Sequence, residues 1–88
     1  MQFSKYDIGH LSGGETVKVT LKGNAANVKL MDSSNFQSYQ SKRRHRYHGG
    51  HVKRSPFLLK VPHAGHWFVA IDLGGCAGSV QSNVQVLA

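Results

Sequence analysis

The sequence predicts an all-β fold: a small β-sandwich with a short helical turn and a long basic loop. Three observations carry this. Every long apolar pattern has a period of two and none has a helical period. Clusters of Gly, Pro and Asn separate the short runs. The excess positive charge falls in one central stretch, which marks surface rather than core.

Residues 16–22 (TVKVTLK) place Val17, Val19 and Leu21 on one side and Thr16, Lys18, Thr20 and Lys22 on the other. That alternation describes a strand buried on one face. Gly13-Gly14 before it is a turn signal, and Gly23-Asn24 ends it because both residues tolerate positive φ. Residues 27–32 (NVKLMD) predict a second strand with Val28 and Leu30 inward. Residues 33–41 (SSNFQSYQS) change character. Ser33 or Ser34 is suited to cap a short helical turn, and a spacing of three lays Phe36 and Tyr39 on the same side of it. Residues 42–54 (KRRHRYHGGHVKR) read as a long polar excursion, a loose hairpin around Gly49-Gly50.

Pro56 returns the chain to extended structure. Residues 57–61 (FLLKV) predict a strand with Phe57, Leu59 and Val61 inward, and residues 62–65 (PHAG) a turn. Residues 66–72 (HWFVAID) form the most apolar strand and belong at a sheet centre. Trp67, Val69 and Ile71 share its core face; Phe68 and Ala70 share the other, with Phe68 expected either at an oligomer interface or, the preferred reading, beneath the Phe36–Tyr39 excursion. Gly74-Gly75 and Gly78 punctuate the next loop. Residues 79–87 (SVQSNVQVL) turn Val80, Val84 and Val86 inward, with Ser82 the polar interruption. Phe3, Ile8 and Leu11 read as an irregular edge segment. An up-down meander and a jelly-roll-like Greek key both fit. At 88 residues, the expectation is a single β-sandwich domain over 1–88.

Three stretches also resemble a known family. Residues 23–36 (GNAANVKLMDSSNF), 43–50 (RRHRYHGG) and 54–67 (RSPFLLKVPHAGHW) are similar to the bacterial domain of unknown function 1883 family. The resemblance covers essentially the whole chain. It implies a β fold and a binding or accessory role, and it brings no catalytic residue and no ligand. Some relatives are joined to TIR signalling domains. This chain has no room for one, so the resemblance implies a separate TIR-type partner.

The net charge is +7. Outside residues 33–71, Lys5, Lys18, Lys22 and Lys29 balance Asp7, Glu15, Asp32 and Asp72, while that stretch holds the other seven basic residues and no acid. Lys42, Arg43, Arg44, Arg46, Lys53 and Arg54 cluster there around Tyr47. Arginine presents planar paired donors suited to phosphate and carboxylate, and a tyrosine ring can stack on a base. The expected partner is anionic, an acidic protein surface or a phosphate-bearing ligand, with nucleic acid as the alternative. The RNP aromatic motif, the KH GXXG loop and zinc-finger spacings are all absent. His45, His48 and His51 are expected to add charge to this site as pH falls.

Enzyme chemistry finds little support, and the expectation is a non-enzymatic module with no cofactor. The three-residue spacings of His45, His48 and His51, and of His63 and His66, span glycines, so nothing fixes the convergence a metal requires; no metal is expected. Cys76 in GGCAG matches no nucleophile signature. Ser55, His63, His66 and Asp72 follow no triad order, four acids leave little for acid–base pairs, and no phosphate-binding loop is present. The N-terminus lacks an apolar signal core and no apolar run is long enough to insert in a membrane. Together with a single cysteine, these features make the cytoplasm the expected location.

Overall fold

The computed structural model describes residues 3–74 and 78–87. Within them the chain forms β1 (Phe3–Leu11), β2 (Thr16–Gly23), β3 (Ala26–Asp32), α1 (Ser33–Gln40), β4 (His48–Val52), β5 (Phe57–Lys60), β6 (Gly65–Asp72) and β7 (Val80–Leu87). The strands make two antiparallel sheets, ordered β1-β6-β3-β4 and β5-β2-β7. All consecutive strands except β3 and β4 lie in different sheets. This is the order left when an eight-stranded jelly roll loses its first strand, so the Greek key prevails over the meander.

The period-two reading places the core correctly. Val17, Val19, Val28, Leu30, Val61, Trp67, Val69 and Ile71 are buried between the sheets. Leu21, Phe57, Leu59, Val80 and Val84 pack against them half-buried, Phe57 and Leu59 on the edge strand β5, and Val80 and Val84 on the edge strand β7. Val86 departs from expectation. Its position matches the inward side, opposite Val17, yet it is 38% exposed near the end of the edge strand β7.

The four-stranded sheet has a second covered face. Met31, Ala70, Phe68 and Phe3 lie there beneath Phe36 and Tyr39 of α1. Phe68 stacks on Phe36 with centroids 4.4 Å apart and planes 10° apart, as its place on the non-core face of β6 predicts. The molecule is therefore three layers at this point: helix, four-stranded sheet, three-stranded sheet.

Three expectations are corrected. The N-terminal segment lies at a sheet edge as expected but is a nine-residue strand paired with β6, irregular only at a register shift between Asp7 and Gly9. The bulge passes over Ile8, so that Leu11 points inward like Tyr6 and His10 points outward. The helix cap is Asp32, not Ser33 or Ser34: its Oδ1 accepts from the Asn35 backbone N–H at 3.0 Å. Finally, Gly49-Gly50 is no hairpin tip. Both glycines lie within β4 and pair with Lys29 and Val28. Gly49 adopts φ 131°, and a Cβ there would run into the carbonyl oxygen of Val28, so glycine is what lets β4 lie this close to β3. Cys76 and Gly75 fall outside the described residues.

Candidate functional site

The basic residues divide around β4. Lys42, Arg43, Arg44, Arg46 and Tyr47 stand on the connection from α1 to β4, while Lys53 and Arg54 follow β4 on the way to β5. The expected single loop is thus two exposed segments at opposite ends of a strand. The helix hands over to the first in a Schellman turn. The Arg43 N–H donates to Ser38 O at 2.8 Å and the Lys42 N–H to Tyr39 O at 3.1 Å. Lys42 takes the left-handed position, with φ 59°, where glycine is usual.

The segment is then tied down at several points. The Arg46 N–H donates to Asn35 Oδ1 at 2.8 Å, and Asn35 Nδ2 in turn donates to Asp32 Oδ1 at 2.9 Å. The carboxylate that caps the helix therefore also positions the basic segment. Lys29 reaches up from β3. Its ammonium lies 4.8 Å from the ring centroids of both Tyr39 and Tyr47 and 3.3 Å from His45 Nε2. A cation between two aromatic faces is attracted by both quadrupoles.

Behind Tyr39 sits a polar knot. Asp72 is 3% exposed. It accepts from Tyr39 Oη at 2.6 Å, Asn27 Nδ2 at 2.9 Å and the Gly74 N–H at 2.9 Å. Burial pushes its carboxyl pKa up, but these three donors and the nearby Lys29 charge outweigh that and hold it below the usual carboxylate range. Burial, then the hydrogen bond to Asp72, push the Tyr39 phenol well above its ordinary range. His51 approaches the same knot through Asn27 Oδ1 at 3.4 Å.

Where β3 runs into α1 and β6 begins, the open end of the sandwich forms a cleft of about 640 Å³. Leu30 and Trp67 reach it from the core, His48 and His63 stand beside the indole, and Asp32, Asn35, His45, Arg46 and Tyr47 bound the rest. Trp67 is held by its Nε1–H donating to His63 O at 3.1 Å. Imidazole centroids lie 5.0 Å (His63) and 6.2 Å (His48) from the indole. A concave site of this size with convergent polar groups suits a small ligand.

The structure brings His45, Arg46, Tyr47 and His48 of the expected site to this cleft. Lys42, Arg43 and Arg44 are exposed on the same segment, and His51 lies along β4 beside Asn27. Lys53 and Arg54 do not join it. Asp32, Asn35 and Lys29, all structural partners of the segment, carry no sequence signal of that role. Only the three-residue gap from Asp32 to Asn35, a cap spacing, points toward one of them.

Two further histidines form a separate group. His66 Nε2 lies 2.6 Å from Asp7 Oδ1, within hydrogen-bond distance. His10 meets the His66 ring edge-on at 4.8 Å. The hydrogen bond from His66, and next the Gly9 N–H, lower the Asp7 pKa. Among the described residues no group of three or more His, Cys, Asp or Glu is placed to hold a metal ion. No helix among them is long and apolar enough to cross a membrane.

Against this geometry, the family model for "Domain of unknown function (DUF1883)" matches residues 1–88, the whole chain. The chain belongs to the DUF1883 family. No curated protein and no solved structure matches it. Membership in DUF1883 accords with the three stretches singled out in the sequence, and the cleft and basic segment are built from two of them, residues 23–36 and 43–50, with His63 and Trp67 from the third.

Proposed function

We propose that this chain is a non-enzymatic binding module whose α1–β4 segment docks an anionic partner, an acidic protein surface or a phosphate-bearing ligand, and that the cleft favours the phosphate-bearing ligand. One observation carries the reading. Lys42, Arg43, Arg44 and Arg46 stand on one exposed segment, Arg46 at the rim of a cleft, and none is paired with a carboxylate among the described residues. Exposed cations without internal partners keep their full attraction for an external anion. Arg46 supplies paired donors, and His48 and His63 supply ring nitrogens beside an apolar wall. A cytoplasmic protein with a single cysteine is the setting we infer.

Nucleic acid is the second reading. The observation that favours it is the Tyr47 ring, 43% exposed among the arginines, since base–aromatic stacking is the common device of single-strand binders. One titration separates the readings. Trp67 is the only tryptophan, so its emission reports the cleft directly. Inorganic phosphate, nucleoside monophosphates and mixed-sequence oligonucleotides are added in turn at physiological salt. A Trp67 response to the small phosphate esters supports the cleft. Tight oligonucleotide binding with a log–log salt slope of about −0.7 per phosphate on single strands supports nucleic acid. No heat and no fluorescence change with any of them leaves an acidic protein as the partner.

A further inference from the structure

We propose that Lys29 is the positioning residue of the basic segment and that His45 is its proton-controlled release; the inference rests on the reading of that segment as a binding element. The geometry fixes the proton on His45. Its Nδ1 lies 3.0 Å from Arg43 O, and a carbonyl can only accept, so in the neutral ring Nδ1 carries the hydrogen. Nε2 therefore presents a lone pair, and the Lys29 ammonium donates to it at 3.3 Å. The ammonium is further held between Tyr39 and Tyr47, each 4.8 Å away. The His45 ring meets Tyr39 edge-on at 5.1 Å and Tyr47 at 5.6 Å. One lysine thus gathers a helix residue and two residues of the segment around a single charge.

Protonating His45 undoes this. With hydrogens on both nitrogens the ring has no acceptor left, and two cations that can only donate face each other across the same short gap. The surroundings decide the balance. From β3 come Lys29 itself and Asp32, whose Oδ1 is committed to Asn35. From β6 comes Asp72, which is committed to Tyr39, Asn27 and Gly74. From β4 come His48 and His51, and from the segment Lys42, Arg43, Arg44 and Arg46. The Tyr39 phenol, its pKa raised by burial, adds no charge. Cations outnumber the two engaged carboxylates, so acidification drives the segment off Lys29. A neutral clasp is the docking state, and an acidic one frees Arg43–Tyr47 from the sheet.

Hydrogen exchange of the unliganded chain tests the clasp without any ligand. Amides of residues 42–47 are followed at pH 7.5 and pH 5.5, corrected for intrinsic exchange. In the unmodified chain the segment is expected to open about tenfold more readily at the lower pH. Lys29→Met opens it at both pH values, Lys29→Arg restores protection at pH 7.5, and His45→Phe, which neither accepts from Lys29 nor takes a proton, shows the same protection at both pH values, below that of the unmodified chain at pH 7.5. Equal protection of the unmodified chain at the two pH values overturns the proposal, as does a Lys29→Met segment as protected as the original. His45→Phe keeps the test decisive if Lys29→Met does not fold. Because anion binding is measured separately, a clasp that fails leaves the binding reading standing, and a clasp that holds in a chain with no affinity for anions sinks only that reading.

Discussion

The two faces of the four-stranded sheet are built on different principles. The inner face meets β5, β2 and β7 through Val28, Leu30, Val69 and Ile71, a largely apolar contact in which Tyr6 Oη also donates to Ser82 O at 3.0 Å. The outer face carries Lys29, Asn27, Asp72 and Phe68 under α1 and the basic segment, joined by hydrogen bonds and ring contacts. The inner face holds the fold together by area removed from water. The outer face holds one surface segment in place by specific pairs, and any function that depends on that segment resides there.

The largest expected effect strikes the inner face. Ile71→Ala leaves a cavity between two sheets and should cost about 3 kcal/mol by denaturant titration. The loss should be the same at pH 7 and pH 5, because no ionised group lines that contact. A strongly pH-dependent loss would mean the two faces are not separable.

Asp72→Ala tests the outer face and should cost about 2 kcal/mol, since hydrogen bonds to a buried ionised group are lost. Here pH matters, and its sign follows from the depressed pKa. A carboxyl held below its unfolded value, about 3.9, stabilises fully above that value and loses its contribution as pH falls through the folded one. The gap between Asp72→Ala and the unmodified chain should therefore be full at pH 7 and shrink below about pH 4. A gap that widens in acid would show that Asp72 is not ionised in the folded chain.

This contrast also explains what the sequence could disclose. Alternation is a local signal with a long-range cause, a single apolar layer, so Val17, Val28 and Val69 announce their side of the sheet from their neighbours alone. The Phe68 prediction succeeded for the same reason: the opposite face of a central strand needs a cover, and Phe36 and Tyr39 were the available aromatics. β1 reads as irregular because its bulge breaks the alternation at Ile8 and Gly9. Gly49-Gly50 reads as a turn because glycine pairs signal turns, while in the fold one glycine serves close approach to Val28. Within the site, charge and residue type marked the exposed arginines. Nothing local marked Lys29 or Asp72, whose roles depend on partners far along the chain: Asp72 meets Tyr39, and Lys29 meets His45 and Tyr47.

A smaller effect of opposite sign is expected at the end of α1. Lys42→Gly relieves a left-handed residue at the Schellman position and should stabilise the chain by about 1 kcal/mol. It removes one cation from the segment without touching Lys29 or His45. A destabilised Lys42→Gly chain would show that the lysine side chain makes a contact worth more than the backbone relief.

The smallest effect on stability should carry the largest effect on binding. Replacing Arg43, Arg44 and Arg46 together by serine should shift the unfolding free energy by less than about 0.5 kcal/mol, because exposed charges with no partner contribute little to folding. The Arg46 backbone link to Asn35 and the Arg43 backbone links to Ser38 and His45 survive, since they use main-chain atoms. The segment should therefore keep its conformation while losing three of its four cations, and the triple variant should lose most of its affinity for any anionic partner by calorimetry. A triple-serine variant that unfolds readily, or one that binds as well as its parent, would move the anion site away from this segment and leave the outer face with a purely structural role.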